Sequence, residues 1–410
     1  MRDILRAVTL IPILAAAGFG ACQQSNLTTG TQSDGAVYIL YMPESSCWNG
    51  SLVVFAHGYV APQLPIGVPE DQLSIGGLSL PATFNQLGYA FAASSFSKNG
   101  LAILQGLHDT EDLVTNVLDP MLKPSHVYLI GASEGGLVTT LSAEQLPGVY
   151  GSAGAACGPI GSFQGQIDYF GDFRVIFDYF FPNVIPGNAI TVPAEVVADW
   201  DTVYVPAITA GLAANPQATA QLLRVTGAPV TSDPTTVPET VLGILWYNVF
   251  GTADAVATLG GQPFDNHAKI YFGSSNDLAL NEHVERYTAS PAALAAVAAG
   301  YETSGRLKMP IVTLHTTGDP IIPYSHEVLY TLKTLSAGKF LDRISLPVLA
   351  YGHCNFTGGE ILAAFTLIVL RGGGLDLTPE IKSILDAPHA AEFEAALKHN
   401  QGITRVGHSE

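Results

Sequence analysis

Val127-Tyr128-Leu129-Ile130-Gly131-Ala132-Ser133-Glu134-Gly135-Gly136-Leu137-Val138-Thr139-Thr140-Leu141 is the stretch on which the reading of this chain turns. The first four residues predict a buried strand, and Leu137 onward predicts a helix. Between them lies G-x-S-x-G, which in a strand–turn–helix setting raises a serine oxygen above a sheet. The turn has to be so sharp that a side chain at Gly131 or Gly135 would collide with its neighbours, and Ala132 is small for the same reason. Ser133 then stands at the positive end of a helix as a candidate nucleophile. The plainer alternative is a glycine-rich turn carrying a surface serine.

Length and composition frame that reading. The chain has 410 residues, of which 48% are hydrophobic and 13% charged. That is enough for a sizeable core, as one large domain with an insertion or as two modest domains. Lys and Arg total 17 against 35 for Asp and Glu, a formal charge of -18. Such a chain repels phosphate backbones, which argues against nucleic acid as a partner, and it is not drawn to anionic lipid.

Residues 1–21 read as an export signal: Arg2 and Arg6, then an apolar run with Pro12 that is too short to span a bilayer. An uncleaved anchor or a buried helix is the alternative. Gly20-Ala21-Cys22 is similar to the end of a bacterial lipoprotein signal, with Phe19 in place of the usual Leu, so a lipid anchor at Cys22 is one expectation. The chain is expected to be exported: secreted, periplasmic or lipid-anchored, with no integral span once the signal is removed. The four cysteines, Cys22, Cys47, Cys157 and Cys354, form no C-x-x-C pair. Disulfides are permitted in an exported chain, and the three full pairings stay open. Residues 361–370 read as a buried core element.

Residues 22–36 read as a polar linker. Strands are predicted at 37–42, at 51–56 leading into His57-Gly58, at 88–93 and at 151–157, with a helix at 109–122 whose first turn is acidic. Strands alternating with helices predict an α/β architecture, a mostly parallel central sheet flanked by helices on both faces. The rhythm stops after Pro159 and resumes with strands at 311–315 and 344–350. The core is therefore assigned to 37–159 and 307–378, interrupted by an insertion at 160–306. That block is rich in aromatics, then in Pro/Thr, then in Ala, and reads as a mainly helical cap or lid; a second domain without contact to substrate is the alternative. Residues 379–410 read as a C-terminal helix and tail.

A serine hydroxyl needs a base, and the base needs an acid to orient it. Both are expected at the C-terminal ends of later strands. Asp319, in Gly318-Asp319-Pro320-Ile321-Ile322-Pro323, and His353, in Gly352-His353-Cys354, occupy such places. Singly, Asp319 reads equally as a turn-former and His353 as a half-buried loop histidine. The order Ser133, Asp319, His353 favours a triad, with Asp277 as the fallback acid. An oxyanion needs fixed N–H donors; these are expected from the backbones of Glu134 and Tyr59, with His57 and Gly58 supporting the loop. His57 as the base is disfavoured because it precedes Ser133.

On Phe55-Ala56-His57-Gly58-Tyr59, Gly131 to Gly136, Gly318 to Pro323 and Gly352-His353-Cys354, the chain resembles the α/β-hydrolase superfamily. Trp48-Asn49-Gly50 and residues 88–100 are similar to exported bacterial hydrolases of that superfamily. The resemblance implies acyl transfer without metal or cofactor: Ser133 attacks, His353 carries the proton, Asp319 orients His353, and Tyr59 and Glu134 hold the oxyanion. The expected substrate is a carboxylic ester, small or polymeric, with Tyr169, Phe170, Phe173 and Phe177 lining its pocket; these rings packing the cap onto the core is the plainer reading. The alternatives are a serine peptidase or amidase similar to proline-directed exopeptidases, with Asp168, Asp172 or Asp178 holding an amine, and a non-catalytic binding protein on the same scaffold.

Overall fold

The computed structural model describes Cys22 and residues 24–404; the predicted export signal lies outside the described residues. An eight-stranded sheet forms the centre. Its strands are β1 (Gln24–Thr31), β2 (Val37–Pro43), β3 (Ser51–Ala56), β4 (Ala90–Ser94), β5 (His126–Ala132), β6 (Ser152–Ala156), β7 (Ile311–Gly318) and β8 (Arg343–Tyr351). They lie in the order β1-β2-β4-β3-β5-β6-β7-β8. β2 runs antiparallel to both β1 and β4, and every pairing from β4 to β8 is parallel. β3 and β4 are buried at every residue, as their unbroken apolar runs require of strands covered on both faces. One apolar layer joins Leu129 to Leu137, Leu141 and Ile103; the opposite layer joins Val53 and Phe91 to Phe84, Leu362 and Phe365.

Residues 22–36 are not a linker. Gln24–Thr31 pairs along β2, with Thr28 opposite Leu40. An edge strand has a partner on one side only, so its side chains stay polar and hide the strand from a hydrophobicity reading; its threonines favour extended backbone. The predicted 109–122 helix also starts earlier, at Ile103, and passes through a π-helical stretch at Leu113–Leu118. The Ala102 N–H just before it donates to Glu134 Oε1 at 2.8 Å, a tertiary contact that local spacing does not reveal. The C-terminal segment is two helices, Thr378–Ile384 and Ala387–Thr404. Pro388 suits a first helical turn, and the Asp386 side chain accepts from the His389 N–H there at 3.1 Å.

Residues between β6 and β7 form helices, from Phe163–Phe180 to Pro291–Gly300, and no strand among the described residues. They have an apolar core of their own, including Phe173, Phe177, Trp200, Ile244 and Leu245, into which Ile321 and Ile322 of the sheet domain also pack.

Two disulfides close the chain, Cys22–Cys47 and Cys157–Cys354. Such bonds belong to an oxidising, non-cytoplasmic environment. The Cys22 sulfur is held by Cys47, so it is not free for the thioether of a lipid anchor, and that expectation is corrected. No helix among the described residues is long and apolar enough to cross a membrane. Residues 361–370 lie within the Gly358–Arg371 helix, most of which is buried.

Candidate active site

Ser133 sits between β5 and the Glu134–Gln145 helix with φ +57° and ψ -122°, a conformation that costs a non-glycine residue about 1–3 kcal/mol. The neighbouring glycines make the turn feasible. A Cβ at Gly131 would strike the Gly135 carbonyl, and one at Gly135 would strike the carbonyls of Ala56 and His57. The Ser133 N–H donates to the Ala156 carbonyl at 2.9 Å. The ends of β3, β5 and β6 thus meet under the serine.

Ser133, Asp319 and His353 are brought together. His353 Nε2 lies 2.9 Å from Ser133 Oγ, and His353 Nδ1 lies 2.7 Å from Asp319 Oδ2. Asp319 is buried, and its Oδ1 accepts the N–H groups of Ile321 and Ile322 at 2.9 and 3.0 Å. Burial alone would raise its pKa, but the charges and hydrogen bonds of His353 and His315 outweigh it and hold the carboxyl down at about 2. The histidine loop is pinned on both sides. Thr316 Oγ1 donates to the Gly352 carbonyl at 2.6 Å, and Cys354 is bonded to Cys157 just past β6. Asp277, the fallback acid, is held by Ser274 at the start of the Asp277–His283 helix. Cys157, His353 and Cys354 are close enough to hold a metal ion, but both sulfurs are taken up in the disulfide.

Glu134 opens its helix, so its N–H lacks an intrahelical acceptor. Gly58 brings the loop after β3 close: a Cβ there would lie 3.1 Å from Ser133 Cβ. Gln72, which sequence reasoning missed, clamps this loop. Its Oε1 accepts the Gly58 N–H at 2.7 Å and its Nε2 donates to the Tyr59 carbonyl at 3.3 Å. His57 is buried beneath the loop, with Nδ1 2.7 Å from the Gly58 carbonyl and its ring stacked on Phe96 at 3.9 Å. Burial pushes its pKa down.

Between Ser133 and the insertion lies a cavity of about 140 Å³, bordered by Tyr59, Glu134, Phe163, Phe170, Tyr247 and Phe264 among others. Of the four aromatics predicted to line it, only Phe170 does. Phe163, Gln166, Ile167 and Phe170 recur at helical spacing on the cavity side. Phe173 and Phe177 continue the same spacing one and two turns further along the helix, past the end of the cavity, and are buried in the insertion's own core. Tyr169 donates its hydroxyl to the Pro320 carbonyl at 2.8 Å, bracing the Asp319 turn. Tyr247 and Phe264 come from remote segments that no local pattern linked to Ser133.

The carboxylates proposed for an amine lie elsewhere. Asp168 accepts from Gln164 Nε2 and the Asp265 N–H, Asp172 holds Lys269 and Tyr271, and Asp178 pairs with Arg174 at 2.8 Å. Glu134 is the acidic side chain that borders the cavity. Burial, reinforced by Asp254 and opposed by the Ala102 N–H and Lys98, pushes its pKa up to about 8.

This strand order, with a serine turn after β5, a helical insertion after β6 and an acid and a histidine at the ends of β7 and β8, defines the α/β-hydrolase fold. The chain has that fold. No protein-family model and no curated protein matches it. Solved structures similar to it include an acylaminoacyl peptidase from Pyrococcus horikoshii, at 11% identity over 86% of this chain and TM-score 0.40. The chain spans only 41% of that protein's length. A rice cell wall degrading esterase from Xanthomonas oryzae is similar at 13% identity, with 83% of this chain and 87% of that one covered and TM-score 0.41. Feruloyl esterase B from Aspergillus oryzae is similar at 13% identity, with 82% and 74% covered and TM-score 0.42.

Proposed function

We propose that this chain is an exported serine hydrolase that cleaves carboxylic esters through an acyl-enzyme. The observation that carries the reading is the hydrogen-bonded line Ser133–His353–Asp319, with spacings of 2.9 and 2.7 Å, whose serine borders a largely apolar cavity. His353 Nε2 takes the Ser133 proton as Oγ attacks the ester carbonyl, and the imidazolium passes that proton to the departing alkoxide. The N–H groups of Tyr59 and Glu134 receive the charge that develops on the carbonyl oxygen. Water, activated by the same imidazole, then releases the acid. The buried Asp319 carboxylate holds Nδ1–H and keeps Nε2 available as base.

Ester is preferred over amine-bearing peptide because the predicted amine-binding aspartates are engaged away from the cavity and burial holds Glu134 toward its neutral form. The cavity is comparable to an apolar cavity that accepts a benzene ring, which fits short or aromatic acyl groups. The disulfides support export.

The experiment offers the purified protein p-nitrophenyl esters of increasing acyl length alongside aminoacyl anilides. The expected result is turnover of short and aromatic esters, with fluorophosphonate labelling that Ser133→Ala abolishes. Faster cleavage of anilides would instead support the peptidase, and inertness with no labelling would leave only a binding protein.

A further inference from the structure

Behind the Asp319 carboxylate lies a second imidazole that the proposed mechanism leaves unused. His315, on β7, is fully buried. Its Nε2 lies 2.8 Å from the Ile322 carbonyl oxygen and 3.5 Å from Asp319 Oδ2, and its Nδ1 lies 3.7 Å from Glu327 Oε1. Nε2 has a hydrogen-bond acceptor, whereas Nδ1 and the Glu327 oxygen it faces have no hydrogen-bond partner of their own among the described residues. A neutral ring donating from Nε2 would leave a buried lone pair facing a carboxylate oxygen, whereas an imidazolium turns an N–H toward it.

The surroundings fit a cation. Glu327 is buried, paired with Arg343, and accepts hydroxyls from Thr313 and Ser345 at 2.8 and 2.9 Å. His315 thus lies between two buried carboxylates, Glu327 and Asp319, with the Arg343 guanidinium on the far side of Glu327. Two further titratable rings adjoin. Tyr324 meets the His315 ring edge-on at 5.8 Å. His326, held down at about 3 chiefly by burial, is neutral; its Nδ1 accepts the Gly161 N–H at 3.1 Å and its Nε2 lies 3.0 Å from Gln166 Oε1. Burial works against charge on His315, but the two carboxylates that flank it, Asp319 and Glu327, outweigh it and carry the ring up to about 9.

We propose that His315 is a positioning residue, a buried imidazolium that shares the Asp319 carboxylate with His353 and so limits how basic His353 becomes. The inference rests on the Ser133–His353–Asp319 reading above. Asp319 stabilises protonated His353, and part of its negative charge is already neutralised from the other side. Removing the positive charge at His315 leaves Asp319 a stronger partner for His353, so protonated His353 persists to higher pH.

The test is kcat/KM against pH for a p-nitrophenyl ester, with thermal melting beside it. In His315→Gln, the acid limb is expected to move up by about one pH unit. Glu327→Gln, which withdraws the second anion facing His315, should move it the same way by less. A merely structural role predicts the opposite sign, because a loosened Asp319 would hold protonated His353 less well and the limb would fall. An unmoved or lowered limb in a folded variant overturns the proposal. Ring nitrogen NMR of the wild-type protein needs no variant to fold: both His315 nitrogens should be protonated at pH 7, and a neutral ring overturns the proposal. Ser133→Ala separates the two levels. Turnover surviving in Ser133→Ala sinks the underlying triad, whereas its loss with an unmoved limb sinks only the role of His315.

Discussion

Cys157 and Cys354, separated by 197 positions in sequence, are joined by a disulfide that brings their Cα atoms to 5.5 Å. One end follows β6, whose last residue, Ala156, accepts the Ser133 N–H. The other end adjoins His353. A single covalent bond therefore ties the support of the serine turn to the histidine loop. Both half-cystines have positive φ, +44° and +50°, which loop packing alone holds with difficulty. Reduction, or the pair Cys157→Ser and Cys354→Ser, should lower stability by about 2–4 kcal/mol. Ester turnover should fall by about 10- to 100-fold, because small displacements of a proton carrier are costly. Activity followed against increasing dithiothreitol, with a melt at each step, checks both; unchanged turnover after complete reduction would refute the coupling.

The proposed triad predicts an asymmetric pattern of losses. Ser133→Ala should remove measurable ester turnover while leaving the melting temperature near wild type, because alanine keeps the Cβ and the backbone of the turn. Asp319→Asn should lower kcat by about 10⁴-fold, because the amide favours the wrong imidazole tautomer. It should also destabilise, since a buried carboxylate with two backbone donors is replaced by a group that cannot match its charge. Kinetics with one p-nitrophenyl ester and calorimetry on both variants separate these effects.

Much of this arrangement was legible because the chemistry demands rare local features. The glycines around Ser133 are required by backbone collisions that any side chain would cause, so the turn is written plainly in the sequence. Asp319 was legible because it follows a buried apolar strand, and His353 because it follows an edge strand that still reads as apolar. The cavity wall was not. Phe170 and Phe173 stand three residues apart on one side of the same aromatic-rich helix, yet one borders the cavity and the other is buried in the insertion; helical spacing cannot say at which turn a helix passes over a distant serine. Gln72 escaped notice because it reaches the Gly58 loop from a separate segment, and His315 and Glu327 because nothing in the local pattern shows that their side chains meet beside Asp319. The edge strand Gln24–Thr31 escaped because its polarity, which an edge permits, matches that of a linker.

Glu134 gives a pH prediction. Its carboxyl is buried and its pKa is raised to about 8 in the folded protein, against about 4.3 for an unfolded glutamate. Between those values the folded state binds more protons than the unfolded state, so stability falls as pH rises. The contribution is fully present below about pH 4 and is lost as pH passes 8. Asp168 and Asp178, both raised to about 6 mainly by burial, add slopes of the same sign at lower pH. Glu134→Gln keeps an oxygen acceptor for the Ala102 N–H and removes the titration. The wild-type minus variant stability difference should therefore change by the order of a few kcal/mol between mildly acidic and mildly alkaline pH, read from urea melts. A difference independent of pH would mean that Glu134 is already ionised when folded.

The two phenylalanines also supply a paired test of the cavity. Phe170 borders the space over Ser133 and stacks on Tyr247, ring centroids 5.1 Å apart. Phe173 is fully buried in the insertion's own core. Phe173→Ala should cost about 3–5 kcal/mol, as truncation of a buried aromatic does, with little change in the ranking of ester substrates by acyl length. Phe170→Ala should cost less, because one side of its ring already faces open space, and it should enlarge the volume available to an acyl group. The expected result is a shift in kcat/KM toward longer acyl chains by about tenfold, the scale of a methylene or two of apolar contact. Measuring an ester series on both variants decides the matter. If Phe173→Ala changed the ranking and Phe170→Ala did not, the acyl group would have to lie deeper in the insertion than the cavity over Ser133.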